Sequence, residues 1–114
     1  MKEITMYIKP EKLEVVKEVL HKRGVGGMSV MSIMGCGIQM GETTPVEFKG
    51  LRTSINLIPK IKIEVVVKDE LLEDIILDIR DKVATGQVGD GKLIIKNVED
   101  VMRIRTGERG NDAI

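Results

Sequence analysis

Residues 61–67, Ile-Lys-Ile-Glu-Val-Val-Val, and residues 69–83, Asp-Glu-Leu-Leu-Glu-Asp-Ile-Ile-Leu-Asp-Ile-Arg-Asp-Lys-Val, change hydrophobic period within a few positions. Ile61, Ile63, Val65 and Val67 alternate with Lys60, Lys62, Glu64 and Val66, the period-two pattern of a strand with one face on a core. Asp69 and Glu70 then place acids at the positive end of a helix. Leu72, Ile75, Ile76, Ile79 and Val83 follow at i, i+3, i+4, i+7 and i+11, one apolar stripe of that helix, and Gly86 is expected to end it. Strand then helix is the unit to look for elsewhere.

The N-terminal third repeats it. Ile4, Met6 and Ile8 share one face of a strand, with Glu3, Thr5 and Tyr7 on the other. Pro10 fits a first helical turn, and Leu13, Val16 and Leu20 recur at helical spacing, widened by Val15 and Val19. Gly24, Gly26 and Gly27 stop the helix, and His21 in its last turn reads as a solvated cap residue. A second strand spans Met28 to Met34, with Met28, Val30 and Met34 expected to pack and Ser29, Met31 and Ile33 facing away. Apolar residues on both faces suggest cover by a helix on one side and a partner subunit on the other. A further strand is expected at Leu93–Lys96, then a short one through Arg103-Ile104-Arg105, and a polar, loose tail from Gly107 to Ile114.

The order is β-α-β, a long loop, β-α-β and a short extra strand. Two split units of this kind pack as an α+β, ferredoxin-like domain: an antiparallel four-stranded sheet with two helices on one face. The bare sheet face is expected to be apolar and large, and so to be buried in an oligomer.

Composition narrows the functions. A chain of 114 residues makes a single domain, residues 1–114. Eighteen basic and eighteen acidic residues give zero net charge, which argues against a broad nucleic-acid-binding field. Tyr7 and Phe48 are the two aromatic residues, too few for a base-stacking platform. One cysteine, Cys36, excludes an internal disulfide and a multi-cysteine zinc site, and one histidine excludes a histidine cluster. No apolar run reaches the roughly 18 residues of a membrane span, so a cytoplasmic domain is expected.

Two stretches stand outside the strand–helix pattern. From Gly35 to Ser54 there is no sustained period, and a loop of that length in a small domain tends to be functional. Val46, Phe48 and Leu51, with Lys49 and Arg52, would give it a partner-reading surface. The other is Thr85–Lys92, Thr-Gly-Gln-Val-Gly-Asp-Gly-Lys. Its three glycines let a backbone turn back on itself and gather N–H groups into an anion-binding nest, with Lys92 adding a cation. Arg103 and Arg105 would share a face if extended, and guanidinium forks suit phosphate. Two readings stand: a polyanion site, or a helix cap followed by a tight turn. It is not a Walker loop, because Leu93 stands where Ser or Thr is required.

Lys9-Pro10, Gly35-Cys36-Gly37, Gln39, Pro59-Lys60, Thr85 to Lys92 and Arg103-Ile104-Arg105-Thr106-Gly107 together resemble the PII nitrogen-regulatory signalling proteins over essentially the whole chain. That resemblance implies a homotrimer with long loops at one end, binding ATP or ADP between subunits. It further implies Mg2+ with ATP, 2-oxoglutarate at the loop base, and an ammonium transporter or nitrogen-metabolism enzyme or regulator as target. A membrane would be met only through such a partner.

Carried onto this sequence, the resemblance assigns Gly89, Asp90, Gly91 and Lys92 to the phosphate loop, and Arg103 and Arg105 to phosphate contacts made in part across subunits. Ser29 takes the place of a threonine that meets the nucleotide, Val66 lines the adenine end, and Gly37 belongs to the same nucleotide set. Gln39 would touch both Mg2+ and 2-oxoglutarate, and Lys60 would pair with a 2-oxoglutarate carboxylate. Two departures matter. Ile38 and Met40 stand where the family usually has Arg and Lys, which removes two cations near a triphosphate and implies weaker ATP binding relative to ADP. Leu51-Arg52-Thr53-Ser54 stands where many relatives carry a modified tyrosine, so tyrosine-directed modification of this loop is excluded. The alternatives are a slow ATPase or phosphatase, for which only Glu64 and Asp90 are candidate bases, and a sensor of another metabolite.

Overall fold

The computed structural model describes residues 1–36, 44–48, 51–55 and 57–114, the two short middle segments by backbone alone. Period-two runs build strands β1 (Lys2–Ile8), β2 (Ser29–Gly35), β5 (Ile58–Val67) and β6 (Lys92–Asn97), while β3 (Thr44–Phe48) pairs with β4 (Leu51–Ile55) in a separate two-stranded sheet. The helical stripes build α1 (Leu13–Lys22) and α2 (Leu72–Val83), each entered through a 3-10 turn, Pro10–Lys12 and Asp69–Leu71. The main sheet has the order β2-β5-β1-β6 with every pair antiparallel. This is the expected ferredoxin-like arrangement.

Register assigns the faces. Ile4 stands opposite Val65 and Ile95, and Met6 opposite Ile63 and Leu93. Ile4, Met6, Ile8, Ile63, Val65 and Val67 form one buried cluster with Val16, Val19 and Leu20 of α1 and Ile75, Ile79 and Val83 of α2, so both helices lie on one face. Burying such side chains contributes roughly 1.5–3 kcal/mol each. Helix α1 stops at a left-handed glycine: Gly24 has φ 76°, its N–H donates to His21 O, and Val25 N–H donates to Leu20 O. That bond pair satisfies two terminal carbonyls, and Val25 packs on the core. Beside it, Arg23 Nε donates to Asp78 Oδ2 at 2.7 Å, fastening the end of α1 to α2.

Several expectations are corrected. The stretch 35–54, which shows no sustained period in sequence, contains the β3–β4 hairpin, whose backbone pairing needs no apolar alternation. The bare face of the sheet is mixed, not apolar: Glu3, Lys62, Glu64, Lys92 and Lys96 share it with Val66, Tyr7 and Ile94. Period two sends the more polar half of β1, β5 and β6 there, while β2 adds Ser29, Met31 and Ile33. On β2, Val30 and Met34 face the helix side yet stay 43% and 57% exposed, because β2 is an edge strand that the helices do not fully cover. The segment through Arg103 is a turn over residues 104–106, closed by an isolated bridge between Met102 and Arg109, not a strand. The tail is organised instead of loose, with a 3-10 turn at Gly110–Ala113. Helix α2 ends at Val83, before Gly86, since Ala84 is already extended.

Candidate ligand site

Past the end of α2 the chain makes a tight loop around one carboxylate. Asp90 Oδ2 accepts from Thr85 N at 2.7 Å and from Gly86 N at 2.9 Å, and Oδ1 accepts from the Thr85 hydroxyl. The Thr85 side-chain and backbone bonds, helped by Gly86 N–H and the charge of Lys9, hold the Asp90 carboxyl below the usual carboxylate range. Asp90 therefore folds, from inside, the loop that the resemblance assigns to phosphate. Gly86, Gly89 and Gly91 take φ values of 81°, 102° and 99°. At Gly91 the need for glycine is also steric: an added Cβ would lie 1.7 Å from the Tyr7 carbonyl oxygen. The loop is pressed onto the end of β1, and Lys92 enters β6 opposite Tyr7. Lys60 reaches it from β5, its Nζ donating to Gly89 O at 2.8 Å. Glycine loop, Lys92 and Lys60 are thus brought together.

A second group of expected residues gathers elsewhere. Ser29, Val66 and Arg103 line a cleft of about 980 Å³, with Gly26, Gly27, Glu64 and Lys68 among its other walls. Ser29 stands opposite Glu64 in register, and Glu64 holds Lys62 at 2.7 Å. The hydrogen bond to Glu64 keeps the Lys62 ammonium above its ordinary range. Arg103 is held by Glu108 Oε2 at 3.3 Å and by the Asp112 carbonyl at 3.2 Å. Arg105 falls in the turn beyond, next to Ile104, which is 91% exposed. The two arginines are not aligned by strand alternation.

The turn is fixed at its root by Asp100, which accepts from Arg109 Nε at 2.7 Å, Val101 N at 2.8 Å and Gly110 N at 3.1 Å. The Arg109 bond is the main reason the Asp100 carboxyl sits below its usual range.

One chain therefore holds the expected site in two pieces. Lys60 and Glu64 are four residues apart on β5, about 13 Å at 3.3 Å per residue, and Gly89 and Ser29 sit beside them respectively. Gly37, Gln39 and Lys49 lie outside the described residues. Val46, Phe48, Leu51 and Arg52 fall on the β3–β4 hairpin, where Phe48 pairs with Leu51. Sequence reading missed the Lys60 contact, the inward turn of Asp90, the glycines 26–27 and Glu64 as cleft walls, and the Asp100 clasp. An acid five residues after a helix-end threonine signals the Asp90 turn; the Lys60 contact leaves no local signal.

These features define a class: a ferredoxin-like chain whose sheet ends carry a carboxylate-folded glycine loop and, apart from it, a cleft with an arginine at its rim. The family profile described as nitrogen regulatory protein P-II matches residues 1–108. Nitrogen regulatory protein P-II of Azospirillum brasilense is 46% identical over 114 residues, covering all of both chains. Nitrogen regulatory protein P-II 2 of Methanothermobacter thermautotrophicus is 46% identical over all of this chain and 97% of its own. That of Haemophilus influenzae is 43% identical over the whole of both. The chain belongs to the nitrogen regulatory protein P-II family.

Proposed function

We propose that this protein is a trimeric signalling protein of nitrogen metabolism, which senses ATP or ADP, and 2-oxoglutarate, and acts on its targets through the segment 35–54. The observation that carries this is the divided site. The glycine loop with Lys92, and the cleft with Ser29, Val66 and Arg103, are complementary halves at different places on one chain. A neighbouring copy would set one half against the other, as closed symmetric assembly does when each subunit presents unlike patches. The residues fit a nucleotide's phosphates: a backbone of positive-φ glycines offers N–H groups, and Lys92, Arg103 and Arg105 supply cations. Mg2+ would accompany ATP at Gln39, with 2-oxoglutarate between Gln39 and Lys60. The targets are an ammonium transporter or a nitrogen-metabolism enzyme or regulator, met in the cytoplasm.

Such a protein regulates by differential affinity. A ligand moves the 35–54 segment only as far as it binds one arrangement better than another. Lys60 follows that segment closely in sequence, so occupancy near it bears on the hairpin's base. The hydrolase reading is less supported. Of its two candidate bases, Asp90 is engaged by three donors within its own loop and Glu64 is paired with Lys62. Asp90, held below the usual carboxylate range by its Thr85 bonds, is a weak proton acceptor.

Calorimetry of the purified protein with ADP, ATP and Mg-ATP, each with and without 2-oxoglutarate, tests the reading. Nucleotide binding is expected, with 2-oxoglutarate binding only beside Mg-ATP and ATP binding weaker relative to ADP given Ile38 and Met40. Equal affinities for the two nucleotides would refute that last expectation. Nucleotide binding without any 2-oxoglutarate response would mark a sensor of another metabolite, and no nucleotide binding would overturn the function.

A further inference from the structure

The helix layer leaves one flank of the sheet uncovered. The buried cluster draws on β1, β5, α1 and α2 but on no residue of β6, whose Leu93 is only partly buried and whose Ile95 is 44% exposed. Between the last two turns of α2 and the start of β6 this leaves an apolar pocket of about 220 Å³. Its walls are Met6 and Ile8 of β1, Ile76, Ile79 and Val83 of α2, and Leu93 of β6. The pocket lies on the helix side of the sheet, with the glycine loop closing one end. Register puts Leu93 beside Met6 on that side and sends the Lys92 side chain, beside Tyr7, to the bare face.

One side of the mouth is charged. Arg80 follows Ile76 by four residues and precedes Val83 by three, which sets it on the flank of α2 that lines the pocket. It is exposed, and no ion pair or side-chain hydrogen bond among the described residues engages it. Asp90 is the one acid on the wall, and its oxygens are taken by Thr85 and Gly86. The charge left for a ligand is thus a guanidinium, which grips a carboxylate through two parallel hydrogen bonds. A hollow lined by carbon stays dry and takes apolar guests; one of about 150 Å³ holds benzene, so this one suits a chain of roughly six to eight carbons. We propose that the pocket binds a small apolar monocarboxylate, with the alkyl chain against Ile79, Val83 and Leu93 and the carboxylate on Arg80. The proposal goes beyond the nucleotide reading and does not depend on it. An arginine in a last turn also suits the helix dipole, but that role would give the pocket no preference for a charged guest.

The test follows methyl resonances of the full-length, nucleotide-free protein during titration with hexanoate, hexanol and acetate at neutral pH and fixed ionic strength. Hexanoate is expected to move the methyl signals of Ile8, Ile76, Ile79 and Leu93 together and to saturate, with a dissociation constant of about 1 mM or lower. Acetate, which has the charge without the chain, is expected to leave them still. Hexanol, which has the chain without the charge, is expected to bind about tenfold more weakly. Arg80→Met keeps a stem at an exposed position and removes the charge. It is expected to lose about tenfold for hexanoate and nothing for hexanol. Ile76→Phe fills the hollow and is expected to abolish binding of both; should it unfold, Arg80→Met still decides the question. Pocket methyls that do not move by about 20 mM hexanoate would overturn the proposal, and are the result expected if a second copy of the chain covers the pocket. Equal hexanoate affinity in the unaltered and Arg80→Met proteins would overturn it as well, by removing the carboxylate from Arg80. ADP titration of the same proteins reads the nucleotide site separately, so either reading can fail alone.

Discussion

The glycine loop at residues 84–92 and the turn at residues 100–110 are built on the same device and used differently. Each folds around an aspartate whose oxygens accept from backbone N–H groups, Asp90 in one and Asp100 in the other. The first is pressed onto its own chain, with Gly91 against Tyr7 and Lys60 on Gly89. The second is open to solvent: Ile104 in the turn is 91% exposed, and Met102 at its closing bridge 56%. A loop with intramolecular neighbours on several sides is set by its own fold. A turn that presents an isoleucine and an arginine to solvent is completed by something else, which under the proposed function is a second copy of the chain.

Substitution at glycine should separate the two loops by the largest margin. Gly91→Ala forces a methyl into the Tyr7 carbonyl at a φ of 99°, and is expected to cost about 3 kcal/mol. For a domain of this size that lowers the melting temperature by roughly 10–20 °C in calorimetry or circular dichroism. Gly107→Ala in the open turn has a φ of 76° but nothing within 4 Å of the new Cβ. It is expected to cost only about 1 kcal/mol. Similar losses at the two positions would contradict the view that one loop is packed and the other free.

Ile104→Ser should leave the melting of dilute protein nearly unchanged and weaken self-association, read by sedimentation equilibrium. A large stability loss with intact association would place Ile104 in an intrachain contact. Salt separates the two aspartates more finely. Asp100 is paired with the Arg109 guanidinium, while Asp90 is held mainly by neutral donors. Raising ionic strength to about 1 M should speed amide exchange around residues 100–110 more than around 85–90.

Acid should act on both. Each carboxyl titrates lower in the folded chain, so its contribution is present above the unfolded value, near 4, and is lost as pH falls through the folded one. Amide shifts of Thr85, Gly86, Val101 and Gly110 followed from pH 6 to 3 should hold steady at first and move together at the acid end. Movement at pH 6 would contradict the assigned hydrogen bonds.

The sheet and helices were legible because period two and period 3.6 are written in single side chains, as Ile61 to Val67 and Leu72 to Val83 show. The candidate site was legible as residue types and not as an arrangement. Thr85–Lys92 reads as an anion loop, yet nothing local says that Asp90 turns inward, since the same aspartate suits an exposed turn. Lys60 meets Gly89 only because β5 and the end of α2 converge in space, a relation between residues 29 positions apart. The β3–β4 hairpin is hard to read because Val46 and Phe48 alternate with Glu47, and Leu51 and Ile55 with Arg52 and Ser54, over only five residues a strand, too short a run to stand out beside the flanking glycines. Arg103-Ile104-Arg105 was misplaced for a related reason: Gly107, with φ 76°, and the Asp100 clasp close a turn where alternation alone suggested a strand.

If the two halves of the site meet across copies of the chain, mixing altered subunits restores binding. Lys92→Ala disables the glycine-loop half and Arg105→Ala the open-turn half, so each altered protein alone should bind ADP poorly. Co-assembled in equal amounts, they should regain about one competent site in four, because random neighbours bring an intact loop to an intact turn at that frequency. Recovered binding of that size, measured by ADP titration of the mixed assembly, is the expected result. A mixture that binds no better than its parents would contradict it and place the site within a single chain.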